Sequence, residues 1–169
     1  ITNRAGVGSL AASTDGLVHA GYTVDDGSGA WRVWYKYYNG AWSGGTAVYA
    51  HTGTTDDIDP AILADSLGRL YMVWHNYADV YYSTAATYQS SWSAATTIVS
   101  GNYSLGVPRM VIDTSMTARV AWQARPASAD GWDINVSSQS VGTPGPSGTL
   151  VGEVRDQFNN LLSGAVVST

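Results

Sequence analysis

Cysteine is absent from the 169 residues, which excludes disulfides and thiolate metal sites but does not fix the compartment. Charge is scarce as well: Asp, Glu, Lys and Arg together make up only 12% of the chain, and the single glutamate is Glu153. The formal net charge is −5 and the eight Lys+Arg are scattered with no basic run. A surface that tracks phosphates is therefore excluded, and nucleic acid is not an expected partner. No stretch approaches the roughly 20 apolar residues that a membrane-spanning helix needs. The first residues, Ile1-Thr2-Asn3-Arg4, carry no signal peptide, so a secreted chain is expected here in processed form or as a fragment.

Glycine (19), tyrosine (11) and tryptophan (7) are abundant instead. That profile suits a β-rich extracellular module with many tight turns. With 44% hydrophobic residues the chain has enough apolar material for a core, so disorder is excluded. The informative stretch is Pro60–Ser83, PAILADSLGRLYMVWHNYADVYYS. It reads as a short apolar strand, a turn at Asp65-Ser66-Leu67-Gly68, a strand over Arg69–Trp74 and a third strand over Asp79–Ser83. Leu70, Met72 and Trp74 share one face of the middle strand, Tyr71 and Val73 the other. Both faces are apolar, which predicts a strand covered on both sides.

The stretch recurs. Pro60, Asp65 and Trp74 match Pro108, Asp113 and Trp122 at an offset of 48, and Gly8–Tyr22 repeats the pattern upstream at an offset of 52, with Gly8 in the proline place. A period near 50 residues with several strands per unit marks a propeller blade, because one small twisted sheet cannot bury both its faces alone. The expected fold is all-β: a propeller of four-stranded antiparallel blades. Residues 1–141 hold three of them (about 8–52, 57–100 and 105–141), the third without a clear fourth strand. Predicted strands in the first blade are 9–12, 17–23, 31–37 and 46–50, with a polar loop over Val24–Gly29. Residues 142–147 read as a Gly/Pro linker and 148–169 as the first strands of a β-sandwich module, cut off or completed by another chain. Three blades do not close a ring, since about four are the minimum. Closure then needs the remainder of a longer chain or a second copy, as a homo-oligomer.

The pattern P-x-I-x-x-D-S-x-G-x-L-Y-x-V-W, followed by D-V-Y-Y-S and a Trp before strand four, resembles the blades of bacterial sialidase-like (BNR-repeat) propellers over roughly residues 8–138. The strict Asp-box of that family, S-x-D-x-G-x-T-W, is not met. Gly152, Val154, Asp156, Leu162, Gly164, Ala165 and Val167 resemble the opening of a carboxypeptidase-regulatory-like β-sandwich. The resemblance implies a bacterial secreted or cell-surface location, with the sandwich as a spacer. It also implies, for an active sialidase, an arginine triad, a Tyr nucleophile helped by a Glu, and an Asp acid/base. The lone glutamate lies beyond the linker, and Arg32, Arg69, Arg109, Arg119 and Arg125 show no matching context. A complete catalytic set is not in this chain.

The leading expectation is a non-catalytic propeller module for binding or assembly, with a glycan or a protein surface as partner. A carbohydrate-binding propeller is the second reading, and part of a sialidase-like glycoside hydrolase with its catalytic residues elsewhere is the third. Binding is expected at the rim, where loops held by rigid sheets converge. Asp56, Asp57 and Asp59 precede the second blade, Asp25 and Asp26 lie in a loop on the same rim, and His75, Tyr77 and Arg125 join them. No cofactor is expected. Such an oxygen-rich cluster can hold calcium, but D-x-D-x-D-G spacing is missing and a solvated acidic loop is the simpler reading. His19 and His51 lack the HxH or HExxH context of a zinc site. Tyr22, Trp74 and Trp122 share one repeat position, Trp42 and Trp92 another, and that recurrence predicts packing between blades over ligand contact.

Overall fold

The computed structural model describes residues 5, 6, 8–25, 27, 29–49, 54–101, 104–113, 117–125 and 133–140. Among the described residues it contains eleven strands and no helix. The first sheet is β1 (Ser9–Ala12), β2 (Val18–Asp25), β3 (Trp31–Tyr38) and β4 (Thr46–Ala47). The second is β5 (Ile58–Ala64), β6 (Leu70–His75), β7 (Asp79–Ala85) and β8 (Thr96–Ser100). The third is β9 (Ser104–Ile112), β10 (Thr117–Arg125) and β11 (Asp133–Ser140). Each sheet is an antiparallel meander in chain order. The stretches expected to form a linker (142–147) and the first strands of a sandwich (148–169) lie outside the described residues.

β6 sits at the centre of the stack and all six of its residues are buried. Leu70, Met72 and Trp74 pack toward the first sheet, against Val33, Tyr35 and Val48. Tyr71 and Val73 pack toward the third, against Met110, Val120 and Trp122. The alternating side chains of one strand therefore enter two different cores, as the doubly apolar pattern predicts. Each fully buried large apolar side chain contributes about 1.5–3 kcal/mol, so this strand anchors the stack.

The hairpins joining the first two strands of each sheet share one design. Asp65 and Gly68 close a tight turn (Gly68 N–H to Asp65 O, 3.1 Å), and Gly68 takes φ 78°, the left-handed conformation that favours glycine. Asp65 then ties the hairpin by accepting from Leu67 and Arg69 N–H, Arg69 Nε and the Tyr71 hydroxyl. These bonds outweigh burial and hold its carboxyl below the usual carboxylate range. At the equivalent places Asp113 pairs with Arg119 (3.2 Å), and Ser13 meets His19 Nε2 (2.8 Å) while His19 Nδ1 meets the Tyr35 hydroxyl (2.9 Å).

The recurrent prolines mark a bulge. In the second sheet Ile58 pairs with His75 and Ala61 with Val73, so Asp59 and Pro60 stand opposite Trp74 alone. In the third, Gly106 pairs with Gln123 and Arg109 with Ala121, so Val107 and Pro108 oppose Trp122. One extra residue on the first strand lets proline sit inside a sheet without breaking a ladder bond. The first sheet keeps the irregularity, with Ala5 bridging Val24 and Ser9 pairing Gly21. Gly8 fills the proline place there because a Cβ would lie 1.9 Å from Gly21 O.

Several boundaries differ from expectation. Val24 and Asp25 belong to β2, not to the following loop, because Asp25 still pairs with Trp31. Ile58 and Asp59 belong to β5, and β4 has two residues where five were predicted.

Candidate functional site

The ends of β2, β6 and β10 are equivalent in the repeat, and at this rim the bulge in β5 redirects Asp59. Its backbone takes φ 53°, and Asp59 Oδ2 accepts from His75 Nε2 at 3.1 Å. His75 Nδ1 accepts the Tyr77 N–H at 3.1 Å, which places the ring proton on Nε2. Burial lowers the His75 pKa more than Asp59 raises it, so the imidazole is neutral. Tyr77 is left with φ 74° and is 49% exposed. Two non-glycine residues in the left-handed region, joined through one buried histidine, form a strained and over-determined loop.

The loop is braced from its other side too. Asn76 Oδ1 accepts from Ala78 N–H (3.2 Å) and Asp79 N–H (2.8 Å), and the Tyr81 hydroxyl donates to Asp79 Oδ2 (2.9 Å). Asn76 escaped attention in the sequence, although an asparagine opening a short loop between two strands is an Asx-turn signal. Burial raises the Tyr77 pKa, with Asp56 and Asp59 adding to it, so the phenol remains a hydrogen-bond donor at neutral pH.

The three aspartates do not act as one cluster. Asp56 Oδ1 accepts the Trp31 N–H (2.8 Å) and lies beside Tyr77. Asp57 turns inward, 1% exposed, where Trp74 Nε1 donates to its Oδ1 (3.3 Å) and Arg32 Nη1 lies 3.6 Å from its Oδ2. Arg32 also donates to Thr55 O at 2.7 Å. The solvated acidic loop is thus corrected at Asp57: a buried arginine on the neighbouring sheet draws it into the joint. Among the described residues no three carboxylate or imidazole groups converge as metal ligands.

Asp25 Oδ1 accepts the Gly27 N–H (3.0 Å), and Asp25 flanks Trp31 from the side away from Asp56. Arg125 ends β10 opposite Ser104 on this rim. The Arg125 side chain and the whole of Asp26 lie outside what is described. The structure therefore joins Asp56, Asp59 and Tyr77 at the surface, with His75 and Asp57 buried beneath them. Arg32 was the missed member, since nothing in its sequence context distinguishes a buried clamp from an exposed strand residue.

No family model matches the chain, and no curated protein is significantly similar to it. Solved structures do match. A Hadza microbial sialidase, Hz136, superposes with a TM-score of 0.56 at 14% identity, over 79% of this chain. An endo-arabinase from Bacteroides thetaiotaomicron VPI-5482 superposes with a TM-score of 0.52 at 12% identity, over 80% of this chain. The fold is a β-propeller. The chain spans 38% of the length of the first of these proteins and 56% of the second, so it corresponds to part of each propeller enzyme. Trp74 and Trp122 are buried as their recurrence predicts. Trp42 is not: it is 47% exposed, flanked by Tyr38 and by the Lys36 ammonium 4.7 Å from its ring.

Proposed function

We propose that the chain is part of a secreted or cell-surface bacterial propeller whose rim binds carbohydrate without cleaving it. The observation that carries this reading is Tyr77: a half-exposed residue held out by a strained, fully braced loop, with Asp56 and Asp59 beside it. An aromatic face for sugar C–H groups and carboxylate oxygens for hydroxyls are the elements of such a site. Bracing before the ligand arrives lowers the ordering cost of binding. The two structural neighbours, one named a sialidase and the other an endo-arabinase, support glycans as the ligand class.

Catalysis is the second reading, favoured by those same two names. Against it, Asp57 is paired with Arg32 and Asp59 is bonded to His75, so neither is poised as a free acid or base. A glycan array probed with this chain should show retention of at least one glycan, weakened about tenfold or more by Tyr77→Ala, a loss of about 1.4 kcal/mol. An array blank for every glycan, or one that Tyr77→Ala leaves unaltered, rules the rim reading out. Release of free sugar from a retained glycan by this chain would replace it with catalysis.

A further inference from the structure

The two faces that end the stack can be compared, position by position, with the faces inside it. Leu10 on the outer face of the first sheet is 68% exposed, whereas its counterparts Ile62 and Met110, each packed on the preceding sheet, are 7% and 8% exposed. Ile134 on the outer face of the third sheet is 68% exposed, whereas Val33 and Val80, each packed on the following sheet, are 1% and 0% exposed. The internal joints thus show what covers these positions: another sheet of the same kind. The charges differ. Lys36 pairs with Ala20 where Ser83 pairs with Met72 and Ser137 with Val120, and Ser83 is wholly buried. The Lys36 ammonium lies 4.7 Å from the centre of the Trp42 ring and 5.1 Å from that of Tyr22, and no carboxylate pairs with it among the described residues. Arg109 pairs with Ala121 where Ser9 pairs with Gly21 and Ala61 with Val73. Ser9 Oγ accepts the Ile62 N–H across the first joint at 2.7 Å, an approach too close for an arginine. Arg109 donates to Pro108 O (2.9 Å), while Arg119 has Asp113 as its own partner (3.2 Å).

We infer that each end face is a joint for a further blade of different sequence, one that presents a carboxylate, and that a second copy of this chain does not fit there. In the first joint Tyr35 meets Trp92, and the neighbouring Ser93 bonds Ser83. Val136 stands in the place of Tyr35, and Trp42 and Lys36 stand in those of Trp92 and Ser83. Stacked head to tail through the same joint, one copy would close its Val136 over the Lys36 of the next. An ammonium taken out of water with no counter-charge opposes that pairing. In the same contact Arg109 would meet the backbone of the incoming Leu10, where the internal joints hold only serine or alanine. Carboxylates on the incoming blade answer both cations: one over Lys36, and one that draws the Arg109 guanidinium aside.

Sedimentation velocity over a concentration series tests this. The parent chain should remain a monomer throughout. Lys36→Ser with Arg109→Ala gives both ends the neutral residues of the internal joints, and this variant should assemble head to tail into rings or longer stacks. Arg109→Ala with Val136→Glu sets a carboxylate over the Lys36 of the next copy and should assemble as well. Adding Lys36→Ser to that second variant removes the new ion pair and should weaken its assembly about tenfold or more. Leu10→Asp, on the face that must be covered, should return either variant to monomer. A parent chain that assembles by itself overturns the proposal, because a second copy then fits. Variants as monomeric as the parent overturn it too, since the cations would not be what keeps copies apart. So does assembly that survives Leu10→Asp, or a Val136→Glu variant that Lys36→Ser leaves unaltered.

Discussion

Replacing Asp57 with asparagine removes one charge from the joint between the first two sheets and changes almost no volume. Both Arg32 and Asp57 are nearly inaccessible to water, so their attraction is little screened and each is costly to leave alone. Breaking a buried pair from one side typically costs about 3–5 kcal/mol. Arg32 retains the carbonyls of Thr55 and Trp31, and the amide oxygen of the new side chain still accepts from Trp74 Nε1, so the lower end, about 3 kcal/mol, is expected here. For a chain of this size that corresponds to a melting point about 6–12 °C lower. The double replacement Arg32→Met with Asp57→Leu should recover only part of the loss: an apolar pair of similar bulk escapes the desolvation penalty, but it leaves the buried Trp74 Nε1 without its acceptor. Thermal melts of the parent, the single variant and the double variant supply the comparison. A D57N melting point within a degree or two of the parent would refute the claim that this pair carries the joint. So would a double variant no more stable than the single one.

Met72→Ala should cost about 3 kcal/mol in urea unfolding, since Met72 is fully buried and reaches across to Gly21 of the first sheet. A cost under about 1 kcal/mol would mean that the two sheets do not share a core there. Gly68→Ala should cost about 1 kcal/mol through left-handed strain alone, with nothing near the new methyl to clash; an unchanged urea midpoint would count against the turn described. His19 and His75 are both held below the ordinary imidazole pKa by burial. The unfolded chain then binds more protons below about pH 6.5, so stability is full above that value and falls as the pH drops toward the folded pKa values. In a His51→Asn background the urea midpoint should be lower at about pH 5.5 than at about pH 7.5, and His75→Gln should shrink the difference. A midpoint that rises on acidification would show the imidazoles to be charged in the folded state.

The central strand was legible in the sequence because Leu70–Trp74 carries its instructions in alternate residues, and alternation survives without knowledge of the neighbours. The hairpin turn was legible for a similar reason, as Asp65 and Gly68 act within one short turn. Trp42 was not. Its counterpart Trp92 lies on Tyr35 of the sheet before it, whereas the outward face of the first sheet has no such cover among the described residues. The repeat fixes where a side chain stands, but its burial depends on the next sheet along. Arg32 and Asp57 were illegible because they are far apart in the chain and meet only after two sheets stack. Asp59 was found as a rim residue, yet its bond to His75 depends on a bulge that Pro60 merely permits.

Both outermost faces of the stack keep apolar groups in the open: Leu10 is 68% exposed on one side, and Ile134 and Val136 are 68% and 63% exposed on the other. A pile whose top and bottom are still adhesive behaves as a linear array, in which each added member gains from the one it lands on and alters nothing two places away. The middle member, already roofed and floored, is therefore the last to loosen. What settles on the end faces governs solubility and length far more than it governs the shape of the pieces already in place.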